Sequence, residues 1–202
     1  MRKKILLILP LLLFAITQQL QAVTCNWGYC NSVVNDQFGS VNKGKGAIYI
    51  PAEISKMYEG KQLSYVRVGL AAKAKTVKVF VTKDLNGEYI TTRTQRDQLS
   101  GFNEIKFAEP WTIDGVGFYI GYEFESDDYA LGSSTMYNEN GCWADLGDGW
   151  KNYAVEDHAL ALSIQAKISG DDLPKDYWLF CSNDILAEAG KPFNINFSIR
   201  NM

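Results

Sequence analysis

The sequence predicts an all-β sandwich, and three observations carry that prediction. Apolar residues alternate with polar ones over several segments, the period of a strand with one face buried. Turn-forming pairs separate the segments: Asn86-Gly87, Ser100-Gly101 and Asp114-Gly115 tolerate the backbone of tight turns. Helical periodicity is nearly absent. Many short strands with little helix bury their apolar faces as a sandwich or jelly roll.

In chain order, Arg2, Lys3 and Lys4, the apolar run 5–16 and Leu20-Gln21-Ala22 have the layout of a secretory signal peptide cleaved after Ala22. The run falls short of the roughly 20 residues a membrane helix needs, and no second run follows. Removing three basic residues takes the formal net charge from −3 to −6. Such a chain has no basic surplus to neutralise phosphates, which excludes nucleic-acid binding by that route. With 47% hydrophobic and 13% aromatic residues it is not a disordered chain. Lipid anchoring through Cys25 is not expected, because Thr24 stands where a lipobox has a small residue.

In the mature sequence, residues 62–72 are rich in β-formers. Val77, Val79 and Val81 share one face of 76–82, and Ile105 and Phe107 point inward from 103–107. Phe118, Ile120, Tyr122 and Phe124 share a face of 117–125; Leu160, Leu162, Ile164, Ala166 and Ile168 share a face of 159–168. A short helix is expected over 51–58, with Pro51 at its first position. These elements make a domain over 23–169. Residues 170–175, Gly-Asp-Asp-Leu-Pro-Lys, read as a linker. Two further strands, 176–182 and 192–200, follow; Phe193, Ile195, Phe197 and Ile199 share one face of the second. Two strands cannot bury such a face alone, so 176–202 reads as the start of a truncated immunoglobulin-like domain. The alternative is that both strands join the first domain's sheet.

The segments Trp27-Gly28-Tyr29-Cys30, Ala47-Ile48-Tyr49-Ile50-Pro51, Tyr65-Val66-Arg67-Val68-Gly69-Leu70, Val77-Lys78-Val79-Phe80-Val81, Phe102-Asn103-Glu104-Ile105 and Phe118-Tyr119-Ile120-Gly121-Tyr122 follow a recurrent pattern. It resembles the non-catalytic jelly-roll adhesin and hemagglutinin modules of secreted bacterial surface proteins, found beside gingipain-type and family C10 thiol proteases. The resemblance covers roughly 27–168. It implies a jelly-roll, galactose-binding-like sandwich with immunoglobulin-like repeats after it, and it transfers no catalytic residue. In that family a loop rich in Asp and Gly binds calcium; Asp145-Leu146-Gly147-Asp148-Gly149 is a short, incomplete echo of it.

Catalytic chemistry finds little support. Cys142-Trp143 echoes the nucleophile of papain-like proteases, but the residues after it form a turn and not a helix N-terminus. The nearby carboxylates would raise a thiol pKa. His158 is the single histidine, too few for a histidine-rich metal site. No HExxH, P-loop, nucleotide fingerprint or Gly-x-Ser-x-Gly elbow occurs. A small glycoside hydrolase would need two carboxyls in one cleft, with Glu123, Glu125, Asp127, Asp128, Asp145 and Asp148 as candidates. Asp127, Asp128, Asp145 and Asp148 supply loop oxygens suited to a structural calcium. No other cofactor is expected. Among Cys25, Cys30 and Cys142 one disulfide is expected, leaving Cys181 unpaired.

Binding chemistry is better represented. Trp27, Tyr29, Tyr137, Trp143 and Trp150 fall in segments that read as loops among Asn, Asp and Gly. Flat aromatic faces beside amide and carboxylate groups suit sugars. The ligand candidates are Tyr137, Asn138, Asn140, Trp143 and Trp150. Trp27 and Trp150 also fit a purely structural role. The expectation is a secreted or cell-surface, non-catalytic binding or adhesion module for a glycan or a host or matrix protein. The alternatives are an accessory N-terminal region of a larger secreted thiol protease and a small glycosidase.

Overall fold

The structure, a computed structural model, describes residues 23–154, 160–174, 177–181 and 197–201. The expected signal peptide and His158 lie outside the described residues. Two antiparallel sheets face each other. The smaller runs β1 (Val23–Trp27), β13 (Ile164–Gly170), β4 (Gln62–Leu70), β7 (Gly101–Thr112). The larger runs β11 (Trp150–Asn152), β10 (Trp143–Asp145), β3 (Lys43–Ile50), β8 (Phe118–Ser126), β5 (Ala74–Thr82), β6 (Thr91–Gln98). A short sheet, β12 (Ala161–Leu162), β9 (Gly132–Ser134), β2 (Asp36–Gln37), adds Leu162 to the same core.

Alternation places the core between the two large sheets. Ile48, Ile50, Val77, Val79, Val81, Ile120 and Tyr122 of the larger sheet meet Val66, Val68, Ile105, Ile164 and Ala166 of the smaller, all at most 2% exposed. Each such aliphatic side chain contributes about 1.5–3 kcal/mol on burial. Tyr122 lies wholly inside, and its hydroxyl is satisfied: it donates to Gly69 O and accepts from Gly132 N–H, both at 3.3 Å.

Three departures from the sequence reading have physical causes. The strand expected over 159–168 breaks at buried Ser163, whose N–H donates to Gly132 O and whose carbonyl accepts from Gly69 N–H; the chain changes sheets there. β6 carries Thr-Thr-Arg-Thr-Gln-Arg-Asp-Gln and little apolar signal because it is an exposed edge paired only to β5, where charged side chains discourage further pairing. β3 is central yet holds Gly44 and Gly46, because a Cβ on Gly46 would come within 2.6 Å of Leu131.

The helix α1 (Ala52–Met57) is present, with Pro51 as its N-cap at φ −70° and not its first residue. Pro51 O accepts from the N–H of Ile54 and Ser55, and the following Tyr58 packs into the core. Farther on, β14 (Tyr177–Cys181) and β15 (Phe197–Asn201) pair with each other antiparallel.

Candidate functional site

The outer face of the larger sheet is not the solvated surface that strand alternation predicts. Register sets its side chains in rows. Trp150, Asp145, Lys45, Glu123 and Lys78 form one row across β11, β10, β3, β8 and β5. Trp143, Ala47, Gly121 and Phe80 form the next. Tyr49, Tyr119 and Thr82 form a third.

Aromatic rings bind these rows together. Phe80 is fully buried, stacked on Tyr89 at 4.4 Å and 6.2 Å from the ring of Trp150. Tyr119 lies 4.8 Å from Tyr49 and 5.6 Å from Trp143. Ala47, Phe80 and Leu85 are the buried centre of this second apolar cluster, with Tyr89, Tyr119, Trp143 and Trp150 half-buried around it. Gly121 lies directly beneath: a Cβ there would come within 2.6 Å of the Phe80 ring. Four strand spacings separate β11 from β5, about 19 Å in a flat sheet. Trp150 reaches Phe80 because the sheet curls and makes this face concave.

Glu123 organises the polar part. It accepts from Tyr89 Oη at 2.6 Å and pairs with Lys45 at 3.8 Å and Lys78 at 3.6 Å. The Lys78 ammonium also lies 4.7 Å from the centre of the Tyr89 ring. Burial and the bond to Glu123 raise the Tyr89 phenol well above its ordinary pKa. Asp145 turns its Oδ1 back to accept the N–H of Gly147 and Gly149. A depression of about 280 Å³ opens beside this row, lined by Lys43, Lys45, Glu123, Phe124, Asp145 and Gly147. The Trp143 indole N–H is buried and has no hydrogen-bond partner among the described residues.

The expected ligand residues are partly brought together. Trp143 and Trp150 lie on strands, not in loops, and both reach the concave face. Asn140 is at the edge of that face, where its carbonyl accepts from Tyr49 N–H at 2.9 Å. Asn138 holds the turn by accepting from the N–H of Asn140. Tyr137 is exposed on the same loop. Trp27 and Tyr29 are core residues, 3% and 5% exposed, in edge-to-face contact. Tyr49, Phe80, Tyr89, Tyr119 and Glu123 complete the face and were not singled out as binders. Their signal was the interruption of alternation: Ile48-Tyr49-Ile50, Val79-Phe80-Val81 and Phe118-Tyr119-Ile120 are apolar in both phases. A strand apolar in both phases is covered on both faces.

The loop carboxylates find lysine or backbone partners. Asp127 pairs with Lys75, Asp148 pairs with Lys151, and Asp128 accepts from Tyr129 N–H. Asp127 and Asp128 lie in the segment after β8, apart from the β10–β11 turn that holds Asp145 and Asp148. Among the described residues no three His, Cys, Asp or Glu side chains converge as a metal set.

The disulfide expected within Cys25, Cys30 and Cys142 does not form: Cys30 and Cys142 are both buried free thiols, and every such pairing needs one of them. Each fills core space as a small apolar group, and Cys30 donates to Ile164 O at 3.6 Å. Burial pushes both thiols up to about 12. Cys142 leads into strand β10, without the helix N-terminus that activates a nucleophile.

No protein-family model matches the sequence, and no curated protein matches it. Among solved structures the fold is similar to that of a clostridial cysteine protease, Cwp84, after propeptide cleavage. The TM-score is 0.58 at 10% sequence identity, over 73% of this chain and 40% of that protein's chain. At that identity the likeness is one of fold: an antiparallel β-sandwich similar to part of a cysteine protease.

Proposed function

We propose that the chain is a secreted or cell-surface, non-catalytic binding module of the jelly-roll, galactose-binding-like kind, whose ligand site is the concave face of the larger sheet and whose ligand is a glycan. One observation carries the reading: half-buried Tyr49, Tyr89, Tyr119, Trp143 and Trp150 share one curved face with the Glu123–Lys45–Lys78 cluster. Aromatic walls around a few fixed polar groups are what a sugar site needs. The non-catalytic reading is supported by buried, unactivated thiols and by carboxylates engaged with lysines. The signal-peptide pattern supports export.

The test is a glycan and matrix-protein array probed with the full chain, its Trp143→Ala and Trp150→Ala variants, and Leu99→Ala, an exposed residue at the β6–β7 turn, as a peripheral control. Glycan binding lost in the two tryptophan variants at an unchanged fold supports the reading. Binding to none of the glycans, with a well-folded sample, overturns it.

A second reading rests on the fold likeness to Cwp84. In it the sandwich is an accessory region of a larger secreted cysteine protease. The two readings are compatible, since an accessory module can hold the enzyme at a glycan surface.

A further inference from the structure

Resting on the glycan reading above, we infer that the ligand of the concave face is an uncharged glycan chain, laid along a diagonal from Trp150 through Trp143 to Tyr49. Two observations carry this.

Charge comes first. The polar row of the face alternates carboxylate, ammonium, carboxylate, ammonium through Asp145, Lys45, Glu123 and Lys78. Glu123 is shared by both lysines, so no ammonium in the row is left to meet a sulfate or uronate. Within the row an anionic ligand would have to break these pairs, leaving only Lys43 at the edge of the depression to meet it. A neutral ligand finds donors and acceptors of both kinds at no such cost.

Placement comes second. Trp150, Trp143 and Tyr49 occupy successive rows on successive strands β11, β10 and β3. Each step is one strand and two residues, about 8 Å on the diagonal. All three side chains are half-buried, so each presents part of a ring to solvent. A single sugar ring covers one such position, and a chain covers all three.

The Trp143 Nε1–H is buried and out of reach of a ligand on the face, so it takes no part in the site.

The smaller sheet provides the contrast. On its outer face Tyr65 lies between the Lys167 and Lys106 ammonium groups, at 5.0 and 5.7 Å, with Arg67 close by. Glu104 pairs with Arg67 and Lys167 but leaves a positive surplus there.

The experiment is affinity electrophoresis and calorimetry of the full chain against neutral polysaccharides (a mannan, a β-glucan, a galactan) and acidic ones (heparin, polygalacturonate), at low and high salt. The expected result is binding to a neutral polymer, unchanged by salt, that strengthens as its oligosaccharides lengthen and then levels off. Tyr49→Ala removes the ring at the far end of the diagonal; it is expected to weaken binding of the longer oligosaccharides and to leave the shortest unchanged. Preference for heparin or polygalacturonate with a steep fall in salt overturns the inference and, by pointing to the Tyr65 face, also the placement of the site on the concave face; only the glycan nature of the ligand then stands. A monosaccharide that binds as well as the polymer overturns the chain-length part. Silence toward every polysaccharide removes the glycan reading and this inference together.

Discussion

The ring of Trp150 lies 6.2 Å from the ring of Phe80, although strands β10, β3 and β8 separate the two residues in the sheet. This contact closes a second apolar cluster on a face that a half-exposed sheet leaves to water. Phe80 is its buried centre, so Phe80→Ala should lower stability by about 3–5 kcal/mol, as aromatic truncations in cores do. Trp150→Ala removes a half-buried ring and should cost clearly less. Chemical denaturation of the two variants checks the order; equal costs would mean that Phe80 is not the anchor.

Cys30 and Cys142 should resist modification. Both are buried, and both thiols are held far above their ordinary pKa, so little reactive thiolate exists near neutral pH. A thiol reagent followed by mass spectrometry should label neither in the native protein and both after unfolding. Native labelling of Cys142 at neutral pH would show it to be an activated thiol.

Alkali should destabilise the fold earlier than tyrosine ionisation in the native state would suggest. Burial is the first cause that raises Tyr29, Tyr89 and Tyr122, and it also raises Cys30 and Cys142. These groups are neutral in both states below the unfolded values, about 8.5 for Cys and about 10 for Tyr. Above those values the unfolded chain releases protons that the native chain keeps, so stability falls as pH rises. The melting midpoint should be level near neutrality, begin to drop at about pH 9 and fall steeply beyond about pH 10. A flat midpoint through that range would contradict the burial of these groups.

The acidic loops should contribute little. Asp127 with Lys75 and Asp148 with Lys151 are exposed pairs, and water and salt screen pairs of that kind almost completely. Asp127→Asn and Asp148→Asn should leave the midpoint nearly unchanged. Calcium and a chelator should leave it unchanged as well, because the lysines already meet the carboxylates. A calcium-dependent rise that Asp148→Asn abolishes would show the loop to be a cation site.

The sandwich was legible because its core strands alternate cleanly: Phe118, Ile120, Tyr122 and Phe124 read as one buried face and are one. The edge strand β6 was not legible, since an exposed edge needs charge and threonine more than apolar residues. Nor was the disulfide reading sound: cysteine spacing does not tell buried thiols from bridged ones. For the site, Trp143 and Trp150 were visible by composition, but their surroundings suggested loops. Their partners Tyr49, Phe80 and Tyr119 were hidden in plain apolar triplets. Alternation along β8 puts Tyr119 on the face of Glu123, but only strand register shows that Tyr49 and Phe80, distant in sequence, share it.

The most direct measurement of the central claim is tryptophan oxidation footprinting of the full chain, read by mass spectrometry with and without a glycan that binds it. Trp143 and Trp150 are half-buried on the concave face, whereas Trp111 packs on Phe118 and under Lys83, away from that cluster. The account predicts that ligand protects Trp143 and Trp150 and leaves Trp111 unchanged. Ligand that binds yet leaves Trp143 and Trp150 as reactive as before would contradict it.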